Sequence, residues 1–146
     1  MRAFYELATP RLKYPVFWMN PRNEALRQAV SEQIARTCAA RRYTVWGCAI
    51  LRNHIHLLVR RHRDDSQAMW WNIASETARV IRQVESLRVD HPVWGQRPYW
   101  IFKDSPDQVR DCVTYIEGNP RKEGLPDQAH PFVRAYDGWP HANRRR

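Results

Sequence analysis

Residues 43–51 (YTVWGCAIL) and 54–60 (HIHLLVR) are two apolar, β-branched and aromatic runs separated only by Arg52 and Asn53. A two-residue link between strand-like runs signals a hairpin, and Asn tolerates the left-handed conformation that such a turn needs. The middle of the chain is therefore expected to hold adjacent antiparallel strands, around which the other elements must be arranged. On the second run, residues two apart project to one face, so His54 and His56 point together while Ile55, Leu57 and Val59 point the other way. The apolar face asks for a helical cover. Two imidazoles converging from one strand can share a divalent cation, although they are equally the polar positions of an amphipathic strand until a third ligand is found.

Upstream, residues 14–19 (YPVFWM) are short, aromatic and bounded by prolines, and read as a first strand. Asn20 and Pro21 make a cap and first-turn pair, after which Leu26, Ala29, Val30, Ile34, Thr37 and Cys38 recur at helical spacing up to Ala40. Downstream, Asp64, Asp65 and Ser66 offer caps for a long helix with the stripe Trp70, Ile73, Thr77, Val80, Ile81, Val84 and Leu87. Residues 98–103 (PYWIFK) read as a fourth strand. Ser105 and Pro106 cap a last helix, expected to close at Gly118, Asn119 and Pro120 because proline disfavours helical geometry at the residue before it. The order predicts an α+β fold, a ferredoxin-like split βαβ antiparallel sheet with an added C-terminal helix. One domain over 1–130 and a basic, loosely held tail over 131–146, ending in Arg144, Arg145 and Arg146, complete the expectation.

At 146 residues the chain can bury a single core without staples. It has no apolar run near the roughly 18 residues of a membrane span, and Pro10 and Pro15 interrupt the N-terminal segment, so a soluble, unexported protein is expected. Cys38, Cys48 and Cys112 are isolated and odd in number, which suits free buried thiols in a reducing cytoplasm rather than a disulfide framework. The formal charge is +9, from 24 Lys+Arg against 15 Asp+Glu, and only Lys13, Lys103 and Lys122 are lysines. Guanidinium forks match phosphates and guanine edges, so this excess favours a nucleic-acid partner. A GC-rich coding bias would also produce it. The seven tryptophans add stacking surface for unpaired bases, although Trp46 and Trp100 are expected in the core.

The last helix carries a second cluster of polar chemistry. Val109, Cys112, Val113 and Ile116 form its apolar stripe, while Asp111, Tyr115 and Asn119 fall at i, i+4 and i+8 on a flanking face. Taken alone, this is a helix with a tyrosine at its rim and a turn residue before proline. Set beside the paired histidines, it supplies candidates for a third ligand, as does His62 just beyond the strand. His91, His130 and His141 lie in loops, where surface histidines are common.

Together, NHIHLLV and YIEGNPRKEGL resemble the two signatures of the IS200-like single-tyrosine HUH transposases, and most of all the REP-associated tyrosine transposase branch. That family shows an Asn-His-hydrophobic-His-Leu-Leu-Val strand, followed well downstream by a tyrosine helix ending in Asn-Pro and a Lys-x-Gly-Leu turn. The matching residues here are His54 and His56, then Tyr115, Asn119, Pro120, Lys122, Gly124 and Leu125, in an order and spacing that agree over about residues 14–125. Arg52 stands where the family usually has proline and Leu51 where methionine is common; Arg121 and Glu123 also depart from the pattern. A histidine-triad hydrolase fits less well, since Leu58 occupies its third place.

The resemblance implies the HUH endonuclease/transposase fold, with Tyr115 on the added catalytic helix. It implies that His54 and His56 bind Mg²⁺ or Mn²⁺, with Asn119 as third ligand and Asp111 in reserve. Such an ion would polarise a phosphate oxygen while the Tyr115 hydroxyl attacks phosphorus, leaving a 5′-phosphotyrosine and a free 3′-hydroxyl on single-stranded DNA near a hairpin. Arg60, Arg61 and Arg63 after the histidine strand, with Arg121 and Lys122 beside the tyrosine helix, are the expected DNA contacts. The expected setting is cytoplasmic and nucleoid-associated, as monomer or homodimer, with no membrane partner. The alternative is a domesticated hairpin-binding protein that no longer cleaves.

Overall fold

The computed structural model describes residues 4–11, 21–95 and 98–140. The elements are β1 (Phe4–Arg11), α1 (Pro21–Arg41), β2 (Val45–Ile50), β3 (His54–Arg60), α2 (Ser66–Val84), β4 (Tyr99–Lys103) and α3 (Pro106–Lys122). The four strands form one sheet in the order β2-β3-β1-β4, and each neighbouring pair is antiparallel. This is the split βαβ plan with an added helix.

The first strand differs from expectation. It is Phe4–Arg11 that enters the sheet, between β3 and β4, whereas residues 14–19 and the Asn20 cap lie outside the described residues. Pairing on both sides selected this segment: Phe4, Tyr5, Glu6, Leu7 and Ala8 each have partners in both β3 and β4. Aromatic composition could not convey that. The β1–β3 register slips between Ala8 and Arg11, around Pro10, whose nitrogen has no hydrogen to donate.

The two faces of the sheet bury different helices. Ile55, Leu57 and Val59 of β3 pack with Leu26, Val30 and Ile34 of α1 and Met69, Trp70, Ile73 and Ile81 of α2. On the other face Leu58 joins Trp46, Ala49 and Leu51 against Val109, Cys112 and Ile116 of α3. Each such aliphatic side chain, fully buried, contributes roughly 1.5–3 kcal/mol, so the two clusters fix both layers of helix on the sheet. All three cysteines are buried free thiols.

The long helix starts where Asp65 accepts from the Ala68 amide at 2.8 Å. Its buried stripe ends at Ile81; Val84 is exposed, and Leu87 lies past the point where Ser86, at φ 54°, turns the chain away. In α3, Ser105 caps as expected, accepting from the Gln108 amide. The helix does not stop at Asn119, however, but runs through Pro120 to Lys122. Proline removes one ladder donor, yet the Glu123 amide bonds both Asn119 O and Pro120 O, and the Leu125 amide closes on Pro120 O at 2.8 Å. Gly124, at φ +71°, then ends the helix in the left-handed conformation that glycine adopts without strain.

The loose tail expected from Pro131 does not hold for residues 131–140. Phe132 and Val133 pack on the α1/α2 cluster, and Leu125, Tyr136 and Trp139 on the α3 cluster. Val133 makes a parallel bridge to Val45, and the Arg134 amide bonds Val45 O at 2.8 Å. At the other end of β2 the Gln128 side-chain amide donates to Ile50 O at 2.7 Å and accepts from Ile50 N at 2.9 Å. An edge strand has backbone groups to satisfy, and this segment satisfies them. Residues 141–146 lie outside the described residues. Among those described, no helix is long and apolar enough to cross a membrane.

Candidate functional site

The pleat of β3 turns His54 and His56 toward α3, and a glycine brings that helix close. A Cβ built on Gly47 of β2 would stand 3.1 Å from Ile116 Cδ1, so the bare backbone admits the helix turn that holds Tyr115. The rings of His54 and His56 lie 4.9 Å apart between centroids at 89°. The His56 ring stands 5.8 Å from that of Tyr115 at 73°. The three residues joined by sequence reasoning are therefore neighbours in space.

Their electrostatics differ. His56 is buried, and that burial, followed by the nearby His54, lowers its pKa to about 4, keeping the imidazole neutral with a lone pair to give. His54 Nδ1 lies 2.7 Å from the Asn53 side-chain oxygen. An amide oxygen only accepts, so Nδ1 carries the proton and Nε2 is the basic nitrogen. That Nε2 is 4.0 Å from a Glu123 carboxylate oxygen. Tyr115 is 48% exposed, open to a polymeric substrate, and Lys122 Nζ sits 5.1 Å from its ring centroid.

Asn119, four residues after Tyr115, is buried and donates its amide nitrogen to Tyr115 O at 3.1 Å. The amide oxygen is the atom with lone pairs for a cation. Among the described residues, no group of three or more His, Cys, Asp or Glu side chains is placed to hold a metal ion. The donors of this region are two neighbouring imidazole nitrogens, a carboxylate near His54, and the Asn119 amide oxygen on α3. They fit an open, weakly held divalent cation better than a closed structural zinc site.

Asp111 is exposed one turn before Tyr115. His62 lies at the far end of β3, edge-on to Tyr43 at 4.9 Å and 3.8 Å from Asp64, away from the paired histidines. His130 is no surface histidine. It bonds Ser31 Oγ at 2.8 Å and Gln128 Oε1 at 3.1 Å, and burial lowers its pKa to about 4. In sequence Glu123 stands out only as a departure from the family pattern, yet it lies eight residues after Tyr115 and four after Asn119, a helical spacing that could have drawn attention to it.

The expected DNA contacts separate into two places. Arg60, Arg61 and Arg63 line a cleft of about 800 Å³ with Arg42, Thr44, His62, Trp139 and Pro140. The Arg60 guanidinium lies 4.4 Å from the Trp139 ring centroid. This cleft is at the opposite end of β3 from the histidines, a span of roughly 20 Å from His54 and about 13 Å from His56 at about 3.3 Å per residue. Lys122 flanks Tyr115, whereas Arg121 is engaged with Asp127 at 2.7 Å.

No protein-family model matches the sequence. No curated protein matches it either. Among solved structures, the chain is similar to a REP-associated tyrosine transposase bound to a REP hairpin, with a TM-score of 0.60 and 20% sequence identity, covering 86% of this chain and 70% of that one. At this identity the likeness is one of architecture. The chain has the fold of a REP-associated tyrosine transposase.

Proposed function

We propose that this chain nicks and rejoins single-stranded DNA beside a hairpin, using Tyr115 as nucleophile and a divalent cation, Mg²⁺ or Mn²⁺, as cofactor. The observation that carries the reading is the edge-on approach of an exposed tyrosine to a pair of histidines on the neighbouring strand. Such a cation would be held by His54, His56 and the Asn119 oxygen, and would supply Lewis-acid polarisation of the phosphate under attack.

The chain's own residues would do the rest. The Tyr115 oxygen attacks phosphorus, the P–O3′ bond breaks, and the strand is left with a 5′-phosphotyrosine and a free 3′-hydroxyl. The phenolic proton passes to water, with the Asp111 carboxylate one turn away as an acceptor. Attack by a DNA 3′-hydroxyl reverses the step and releases the tyrosine, so no nucleotide cofactor is consumed. Lys122 lies over the tyrosine ring, where its ammonium would meet the phosphate bound there, and neutral His56 keeps its lone pair for the cation. The arginine-lined cleft would grip the DNA backbone at a distance from the cut.

The test is incubation of the protein with hairpin-bearing single-stranded DNA, labelled at either end, in Mn²⁺, Mg²⁺ or EDTA, followed by a denaturing gel. A metal-dependent covalent adduct that disappears in Tyr115→Phe and His56→Ala is expected. Retention of DNA without any adduct, equal in wild type and Tyr115→Phe, would overturn the reading in favour of a hairpin-binding protein.

A further inference from the structure

A cationic side chain, Arg52, sits beside the candidate site with no ion-pair partner among the described residues. Arg52 occupies the β2–β3 turn, which is closed by the Leu51 amide bonding His54 O at 2.8 Å. Its side chain is half-buried, and its Nε is wholly buried without a hydrogen bond. The guanidinium reaches the C-terminal end of α3, where Nη2 lies 3.9 Å from the point a Cβ on Gly124 would occupy. Among the described residues it has no ion-pair partner. Glu123, the chain neighbour of Gly124, turns its carboxylate toward His54 instead.

A guanidinium cannot escape burial by losing its proton. Held half out of water with an unbonded N–H, it carries a desolvation cost that an anion would offset. The negative end of the α3 dipole gives partial compensation, but no carbonyl of the last turn accepts a hydrogen bond from it among the described residues. A planar fork of donors, fixed by a tight turn and open on one side, suits a phosphodiester oxygen pair. The turn places it next to Asn53 and His54 on one flank of the site, while Lys122 lies over Tyr115 on the α3 side.

From this we infer that Arg52 binds a backbone phosphate of the DNA strand beside the phosphate that Tyr115 attacks, and so sets the strand's register in the site. The inference rests on the function proposed above. It concerns the position where the resembling family usually carries proline.

The experiment compares Arg52→Met and Arg52→Lys in a Tyr115→Phe background, so that binding is read without cleavage. The probe is a fluorescent hairpin DNA with a single-stranded flank, titrated by anisotropy across a range of salt. For Arg52→Met, which keeps the apolar stem, affinity should fall about tenfold, and the slope of log affinity against log salt should drop by about 0.7, the value for one single-strand phosphate contact. Arg52→Lys should restore the slope while recovering only part of the affinity, because the fork is lost. The melting temperature of Arg52→Met should be no lower than that of its parent, since the removed charge had no partner. Unchanged affinity and slope in Arg52→Met, a lower melting temperature with intact binding, or no DNA binding by the parent would each overturn the inference. A DNA adduct in wild type that survives Arg52→Met at full rate and slope overturns Arg52 alone; a changed slope without any adduct in wild type overturns the cleavage reading alone.

Discussion

The ring of His56 meets the ring of Tyr115 edge-on across the boundary between β3 and α3, and Gly47 is the residue that lets the two layers come this close. A Cβ at Gly47 would press on Ile116 Cδ1 at 3.1 Å, so Ile116, the immediate neighbour of Tyr115, must give by a few tenths of an ångström. Gly47→Ala should therefore destabilise the protein by about 1–3 kcal/mol, the usual range for overpacking a filled core. It should also lower the rate of adduct formation more than it lowers DNA affinity. Urea midpoints with parallel anisotropy and adduct assays read the three effects separately, and an unperturbed adduct rate would show that the helix does not need this close approach.

A cation held as proposed, by His54, His56 and Asn119, would bind only the folded chain and should therefore raise thermal stability. At a free Mn²⁺ concentration of 100 times its Kd the gain is about 2.7 kcal/mol. Differential scanning fluorimetry should show the rise in wild type, its reversal by EDTA, and its loss in His54→Ala. Asn119→Ala should weaken the response without removing it. A rise that persists in His54→Ala would place the ion elsewhere.

Acid should unfold this protein through its buried histidines. His130 has a folded pKa of about 4, lowered first by burial and then by Arg27, against about 6.5 when unfolded. Below pH about 6.5 the unfolded state therefore binds the extra proton, and the stabilisation present above that pH is lost progressively down to about pH 4. His56 shifts in the same direction for the same leading cause. Urea midpoints measured from pH 7.5 to 4 should fall through this window, and His130→Gln should flatten the decline. A midpoint independent of pH across that range would contradict the burial of both rings.

Gln128→Ala should cost about 1–3 kcal/mol, because it leaves both backbone groups of Ile50 unpaired in a buried strand and removes the partner of His130 Nε2. Amide exchange at Ile50 should accelerate. Full protection of that amide in the variant would mean that another group takes over the edge.

The hairpin, the facing of His54 and His56, and the stripe of α3 could be read directly because strand and helix periodicities are local and each was anchored by an apolar face. The nearness of Tyr115 to the paired histidines followed because the Val109–Ile116 stripe seats α3 on the sheet face that carries them. What escaped were decisions made by distant contacts. β1 is chosen by pairing with two strands at once, and its residues 4–11 carry a proline that argues against a strand when read alone. α3 outlasts Asn119 and Pro120 because the amides beyond the proline, of Glu123 and Leu125, still close on Asn119 O and Pro120 O. Residues 131–140 look like turn and tail in sequence, and only the demands of an uncovered strand edge give them a place.

That last segment has a consequence for how copies of the protein can meet. Along β2 the molecule supplies its own occupant, partly through the backbone of Arg134 and partly through an amide side chain that imitates a strand at Ile50. The flank nearest the paired histidines is thereby closed to an incoming extended peptide or to a second sheet. Among the described strands, the outer side of β4 is left as the one seam where lateral growth of the sheet could begin.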